Sequence, residues 1–279
     1  MENKNIKLIT FDLDGTLLNS KKELTPATLE VLEKAASMGI EIVPATGRFW
    51  SAIPEFLRNI KSIHYAITIN GAEVFDVKNS KSLTKFEIPP QRALNMMFAF
   101  NDIPNIIYDC IINGQGYMKR ELFEKIPDFM VGEWQVKLVA DFRTPLETEK
   151  FYEFVKNSKG IQKVQIFTLD KDLRANLLKA LPIVFRKCNF TSSIPNNIEI
   201  NDINANKGSG LKFLAEYLNI PIENTLAFGD GLNDISMIKN AGVGVAMGNS
   251  CKEILDVADF VTTDCDNDGV AEGIRKFCF

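Results

Sequence analysis

Short runs of apolar and β-branched residues recur along the chain, and several of them stop abruptly in polar residues. Leu8–Phe11 runs into Asp12-Leu13-Asp14-Gly15-Thr16, Ile40–Ala45 into Thr46-Gly47-Arg48, Tyr65–Ile69 into Asn70-Gly71, and Thr225–Gly229 into Asp230-Gly231-Leu232-Asn233-Asp234. Such runs, closed by turn-forming residues, predict buried strands that open into loops. Between the first two runs the pattern changes to helical spacing. Thr25 is placed as N-cap, Pro26 at the first helical position, Leu29, Leu32 and Ala36 on one face, and Gly39 as the stop. A helical stretch around Ala52 to Ile60 leads to the third strand, and Asn70-Gly71 before Ala72-Glu73-Val74-Phe75 is a hairpin signal. Later, Asn206-Lys207-Gly208 opens a helix through Leu211, Leu214, Ala215 and Leu218. Another helix through Met237 and Ile238, a strand Gly242–Met247 with its loop Gly248-Asn249-Ser250, a short strand at Phe260-Val261, the acidic run Asp264 to Asp268 and a closing helix follow. Strand, helix and strand in succession imply a parallel sheet with right-handed crossovers: an α/β, doubly wound, Rossmann-like core.

From about Ser82 the texture differs. Helices are expected at Gln91 to Phe100 and, from another Thr-Pro start to a glycine stop, at Thr144 to Lys159. They mix with short strands at Asn105 to Ile112, Lys137 to Ala140, Val164 to Leu169 and Ile183 to Lys187, and a hairpin marked by Asn113-Gly114. Residues 82–195 therefore read as an α+β domain inserted into a core made of residues 1–81 and 196–279. The core pattern is expected to resume at Asn197-Ile198-Glu199-Ile200.

The 279 residues suit two ordinary domains, and 46% apolar with 24% charged residues is a globular balance. A net charge of −4 supplies no overall basic field for nucleic acid or anionic lipid. The five cysteines are scattered and form no C-x-x-C pair, which fits a reducing compartment. Met1-Glu2-Asn3-Lys4-Asn5 leads into the first strand with no long apolar segment or small-residue cleavage site, and no other span reaches membrane length. A cytoplasmic protein is the expectation. The single histidine, His64, lies in a helix-to-strand connection and reads as a solvated loop residue, so acid–base work falls to carboxylates or lysine.

In a doubly wound sheet, residues just beyond the C-terminal strand ends share one edge, and ligands bind in the crevice there. Asp12, Asp14, Thr46, Asn70, Asp230, Asn233 and Asp234 all hold that position, with Lys207 expected nearby. Taken singly, each has a plainer reading: turn residues at strand ends and a solvated lysine at a helix start. A shared edge changes that. Clustered carboxylates select a hard cation, and a partly hydrated Mg²⁺ sharing phosphate oxygens suits them better than an all-protein calcium cage. An EF-hand reading from Asp12 fails at its sixth position, Leu17, where glycine is needed. Lys207 and Thr46 add a point charge and a hydroxyl suited to a phosphoryl group.

In order, Asp12-Leu13-Asp14-Gly15-Thr16, Thr46-Gly47-Arg48, Lys207-Gly208 and Gly229-Asp230-Gly231-Leu232-Asn233-Asp234 resemble the four motifs of the haloacid dehalogenase-like phosphatases. The insertion, with Asn70-Gly71-Ala72 after the third strand, is similar to the Cof subfamily and its type IIB α/β cap. The resemblance implies a phosphoric monoester hydrolase acting on small phosphorylated metabolites, sugar phosphates foremost. It makes Asp12 the nucleophile that forms an aspartyl-phosphate, and Asp14 the acid that protonates the leaving alkoxide and then the base that activates water. For that work Asp14 would need a raised pKa, which neighbouring carboxylates favour and Mg²⁺ opposes. Asp12, the Asp14 carbonyl and Asp230 would hold Mg²⁺, with Asp234 as ligand or outer support. Thr46, Gly47 and Lys207 would bind the phosphoryl group, and Arg48, Asn70 and Asn233 would lie near the leaving group. A phosphosugar mutase of the same fold, and a phospho-accepting receiver-type module without turnover, are the competing readings.

Overall fold

The computed structural model describes residues 5–279; the start of the polar lead-in, residues 1–4, lies outside the described residues. The chain folds into two compact units, one formed by the residues up to Thr84 together with Asn206–Phe279, the other by Lys85–Ala205. In chain order the first unit contributes β1 (Leu8–Phe11), β2 (Glu41–Pro44), β3 (Tyr65–Thr68), β4 (Glu73–Asp76) and β5 (Lys81–Lys85, its last residue already in the second unit). The second contributes β6 (Ile107–Ile112), β7 (Gln115–Lys119), β8 (Arg143–Leu146), β9 (Lys163–Phe167), β10 (Cys188–Thr191) and β11 (Asn197–Asp202). The chain then returns to the first unit with β12 (Thr225–Gly229), β13 (Val243–Ala246) and β14 (Phe260–Val261).

Among the described residues the first unit has a parallel sheet in the order β14-β13-β12-β1-β2. A parallel bridge between Ala45 and Ile67 extends it toward β3, which pairs antiparallel with β4. Helices cover both faces, so the strands alternate between two cores rather than between core and water. Ile9, Phe11, Ile42, Leu226 and Phe228 enter one core with Val31, Leu32 and Ile274. Leu8, Val43 and Ala227 enter the other with Leu211, Leu214 and Met237. That double burial is why these strands read as nearly continuous apolar and β-branched runs. The expected N-cap holds: Thr25 accepts a hydrogen bond from the Thr28 amide at the start of Pro26–Ser37. Chain order reverses between β1 and β12, which places the switch point where Asp12 and Asp230 leave the sheet.

The second unit is a sheet in the order β10-β11-β9-β6-β7-β8, mostly antiparallel. Tyr108, Cys110, Ile112, Val164, Ile166, Ile198 and Ile200 turn one face toward an apolar core shared with Leu94, Met97, Phe151, Val155 and Leu177 of its helices. Ile107, Met118 and Phe167 meet Ile126, Met130 and Val139 on the other side.

Several expectations fail here. Asn197–Asp202 does not reopen the parallel core; it is β11, bonded antiparallel to both β9 and β10. Residues 137–140 end the helix Glu133–Ala140 instead of forming a strand, because Gln135 and Val139, four apart, bury the same helical face. The helix Lys171–Val184 runs through Pro182 close to its end, which leaves Ile183 and Val184 exposed and the expected strand from Ile183 unformed. Thr144-Pro145 lies in β8, and the following helix starts at Thr148. No helix among the described residues is long and apolar enough to cross a membrane. The five cysteines carry free thiols.

Candidate active site

β1 ends in Phe11, and the Asp12 amide still donates to the Phe228 carbonyl of β12 at 3.1 Å. The sheet ladder thus fixes the backbone that carries the first carboxylate. Asp12 is buried, and its Oδ1 accepts from Lys207 Nζ at 2.5 Å. Lys207 Nζ also donates to Asp234 Oδ1 at 2.5 Å. Lys207 is 0% exposed, so it is no solvated surface lysine. It stands at the first position of the helix Lys207–Tyr217, whose N-cap Asn206 accepts from the Ser209 amide at 2.8 Å. Asp234 is saturated on its other side, where Oδ2 accepts the amides of Asp230 and Gly231, both at 3.0 Å. Asp230 Oδ1 accepts from Thr16 Oγ1 at 2.6 Å.

Asp12, Asp230 and Asp234 each offer a carboxylate oxygen, and these oxygens lie within 4.8 Å of one another. Three carboxylates face one ammonium. Burial, followed by the charges of Asp234, Asp230 and Asp14 against that of Lys207, pushes Asp12 up to about 8. Burial and then Asp234 push Asp230 up to about 6, with Thr16 and Lys207 opposing. Burial works against the charge of Lys207, but Asp12 and Asp234 outweigh it and raise its pKa. These hydrogen bonds engage Oδ1 of Asp12 and Oδ1 of Asp230, which leaves their Oδ2 atoms as the oxygens that could ligate a cation. An all-oxygen set whose charge Lys207 does not balance fits a hard divalent cation.

Asp14 is elsewhere. Its carboxylate takes the Arg48 guanidinium as a fork, Nε to Oδ2 and Nη2 to Oδ1, each at 2.9 Å, and Lys22 Nζ at 3.0 Å. Burial works to raise its pKa, but Arg48 and then Lys22 prevail, and it is lowered. The balance that the sequence leaves open at Asp14 thus falls on the lowered side, and the raised carboxyl is Asp12. Arg48, expected near the leaving group, gives its remaining nitrogen to the Ala52 carbonyl at 3.1 Å.

Thr46 is buried; its Oγ1 accepts the Arg48 amide at 3.2 Å, and its carbonyl accepts the Asn70 amide at 2.9 Å. Gly47 lies between Thr46 and Arg48 in this turn. Asn70 adopts a left-handed conformation with φ 59°, and its Oδ1 accepts from Asn233 Nδ2 at 3.2 Å. The loops after β1, β2, β3 and β12 are thereby tied to one another. His64, as expected, is an exposed residue beside Glu41.

Two participants escaped the sequence reading. Lys22, in Ser20-Lys21-Lys22-Glu23, reaches Asp14 from a backbone turn with a positive φ of 64°, which has no residue-type signature. Asn249 donates to the Gly15 carbonyl at 2.8 Å. It sits after β13 in Gly248-Asn249-Ser250, and so carries the same strand-end signal that marked the others.

The sequence profile of haloacid dehalogenase-like hydrolases matches residues 9–274. A curated relative, the 5-amino-6-(5-phospho-D-ribitylamino)uracil phosphatase YcsE of Bacillus subtilis (strain 168), is 30% identical over 276 residues, 99% of this chain and 97% of its own. A haloacid dehalogenase-like hydrolase from B. subtilis superposes with a TM-score of 0.80 at 29% identity, covering 97% of this chain and 99% of that one. BT4131, a sugar phosphatase of HAD subclass IIB, does so with a TM-score of 0.79 at 26% identity, over 97% and 98%. The chain belongs to the haloacid dehalogenase-like hydrolases, and with phosphatases as its relatives it is a phosphoric monoester hydrolase.

Proposed function

We propose that the protein is a Mg²⁺-dependent phosphatase of small phosphorylated metabolites, binding the phosphate at the strand ends of the first unit and taking substrate choice from the inserted unit. The observation that carries this reading is the Lys207 ammonium shared by Asp12 and Asp234 inside a three-carboxylate cluster. Asp12 is the nucleophile: its carboxylate attacks phosphorus, the bond to the leaving alkoxide breaks, and an aspartyl-phosphate results. Asp14 gives the alkoxide its proton and then takes one from the water that hydrolyses the intermediate; because Arg48 and Lys22 lower its pKa, it takes up that first proton as bound substrate draws it off their charges. Arg48 and Lys22 hold Asp14 apart from the acid cluster, where it can act on the leaving group rather than on the metal side. Lys207, Thr46 and the Gly47 turn bind and neutralise the transferring phosphoryl.

Asp12 Oδ2 and Asp230 Oδ2 are the oxygens best placed to hold Mg²⁺, with the Asp14 carbonyl. Asp234, whose oxygens are taken by Lys207 and two amides, acts as the brace for that loop. Bound there, Mg²⁺ would supply charge neutralisation for the phosphoryl oxygens. Asn70 and Asn233, bonded to each other, are the groups near the leaving group. The free thiols fit a cytoplasmic setting. Sugar phosphates are the foremost substrate class, supported by the sugar phosphatase BT4131 and by the phosphoribityl group in the name of the B. subtilis relative.

The test is phosphate release by the purified protein from a panel of phosphate monoesters, with and without Mg²⁺. Continuous Mg²⁺-dependent turnover that disappears in Asp12→Asn, with the far-UV spectrum unchanged, is the expected result. Normal turnover by that variant would remove Asp12 as nucleophile, and a single stoichiometric burst would point to a phospho-accepting module instead.

A further inference from the structure

The acidic run from Asp264 to Asp268 follows β14, on the same edge of the parallel sheet as the strand-end loops of the site, and the chemistry above makes no use of it. Its carboxylates are taken up by hydrogen bonds. Asp264 Oδ1 accepts the Asp266 amide at 3.0 Å and Asn267 Nδ2 at 2.8 Å, which orders the loop on itself. Asp268 Oδ1 accepts the hydroxyls of Thr25 and Thr28, the second at 2.9 Å. Asp266 Oδ1 accepts the Ser20 amide at 2.8 Å. The Cys265 amide between them donates at 2.9 Å to Oδ1 of Asn249, the residue that holds the Gly15 carbonyl. The loops after β13 and β14 thus grip one segment, Gly15 to Thr28, at its beginning beside Asp14, in its middle at Ser20, and at its end where the first helix starts.

The middle grip bears on the site. Residues 19–23 close a tight turn: Asn19 Oδ1 accepts the amides of Lys21 at 3.0 Å and Glu23 at 2.9 Å, the Asn19 amide donates to the Glu23 carbonyl at 3.0 Å, and the Lys22 amide donates to the Asn19 carbonyl at 2.9 Å. Within it Lys22 has φ 64°. Glycine takes that conformation without strain, and lysine does not. A strained lysine is retained where its side chain is needed, and this one meets Asp14 Oδ1 at 3.0 Å.

Ser20, Lys21, Lys22 and Glu23 are all exposed, so apolar packing does not hold the turn. The ion pair is too weak to do so. Its side chains are 44% and 30% exposed, and a solvated lysine–carboxylate pair loses in side-chain entropy most of what it gains. For the ammonium to stay on Asp14, the backbone beneath it must be fixed from elsewhere. The bond from Ser20 to Asp266, across 246 residues of sequence, supplies such a point.

We infer that Asp266 is a positioning residue for the reaction: through the Ser20 amide it holds the turn that aims the Lys22 ammonium at Asp14. The inference rests on the phosphatase reading above. Arg48, also on Asp14, is braced separately by the Ala52 carbonyl. Two cations with separate supports give the carboxylate one starting orientation, from which bound substrate draws it. Ser20 contributes a neutral amide, so position 266 has to supply an acceptor rather than a charge, and asparagine should serve there.

The test measures kcat and KM of the Mg²⁺-loaded protein on phenyl phosphate and p-nitrophenyl phosphate, esters of like shape whose leaving groups differ in their need for a proton. The native protein is compared with Asp266→Ala, Asp266→Asn, Lys22→Ala and the double variant of the two alanine changes, with thermal melts of each. Lys22→Ala is expected to lower kcat about tenfold on phenyl phosphate and about twofold on p-nitrophenyl phosphate. Asp266→Ala should show the same split at about fivefold on phenyl phosphate, with KM little changed, and Asp266→Asn should restore the native kcat. The double variant should be no slower than Lys22→Ala, because both changes remove the same contact. Losses that multiply in the double variant, equal losses on the two esters, or Asp266→Asn as slow as Asp266→Ala would overturn the inference. An unaltered kcat in Lys22→Ala would do so as well, whether or not Asp266→Ala keeps its fold. Failure of the native protein to release phosphate from either ester would instead remove the phosphatase reading on which the inference rests.

Discussion

Arg48 shows how a residue's company changes its meaning. In sequence it is the third member of Thr46-Gly47-Arg48 and could serve substrate, turn or solvent; in the fold it makes a two-pronged bond to Asp14 and caps the Ala52 carbonyl. A planar fork of this kind fixes the carboxylate's orientation as well as its charge, which a lysine cannot do. If Asp14 handles the leaving-group proton, Arg48→Ala should cost most where that proton matters most. We expect kcat to fall about 100-fold on alkyl phosphates and distinctly less on p-nitrophenyl phosphate, whose phenolate leaves without help. Arg48→Lys should recover part of the alkyl-phosphate rate. Equal losses on both ester types would show that Arg48 acts on the fold or the phosphate rather than through Asp14. The acids at this site were legible because each sits at a strand end. Lys22 was not, since its role depends on a backbone turn with φ 64° rather than on residue type.

At the scale of elements, legibility followed burial on both faces. Strands β1, β12 and β13 read correctly because two cores demand nearly continuous apolar runs. The errors fell in the inserted unit, where Lys137 to Ala140 and the stretch after Pro182 are short enough to satisfy either period, and packing partners decide. One junction between elements carries the site. Gly71 has φ 86°, and a β-carbon on it would lie 2.1 Å from the Asn206 carbonyl, at the N-cap of the helix that begins with Lys207. Gly71→Ala must therefore strain the turn or push that helix start away. We expect a loss of about 1–3 kcal/mol in urea unfolding, with kcat falling as Lys207 shifts from Asp12. A variant with native stability and rate would show that the turn has room to yield.

For the whole molecule, the point where the chain returns to its first unit was misplaced for a readable reason. Asn197-Ile198-Glu199-Ile200 alternates polar and apolar residues, the mark of a strand with two different faces, whereas β1 and β12 are apolar but for one threonine each, Thr10 and Thr225. The stability of the whole chain should also record the acid cluster. Asp12 keeps its proton in the fold up to about 8 and Asp230 up to about 6, while both lose it near 3.8 when unfolded. Between those limits the native state binds more protons than the unfolded one, so metal-free stability falls as pH rises. Asp14 has the opposite sign: its lowered pKa gives a contribution fully present above 3.8 and lost as pH drops through the folded value. Above pH 4 the trend thus belongs to the carboxyls that burial raises, Asp12 and Asp230 with Asp109 of the second unit. A divalent cation binds the ionised forms of Asp12 and Asp230 and must displace protons to do so at low pH, so its stabilisation grows with pH. Thermal melts of chelator-treated protein should show Tm falling from pH 5 to pH 8, and millimolar Mg²⁺ should raise Tm more at pH 8 than at pH 5. Asp230→Asn should relieve part of the metal-free decline, because it removes one of the repelling charges, and should shrink the Mg²⁺ gain. A Tm indifferent to Mg²⁺ at both pH values would mean that the three carboxylates are balanced by Lys207 and the hydrogen bonds around them, without a cation.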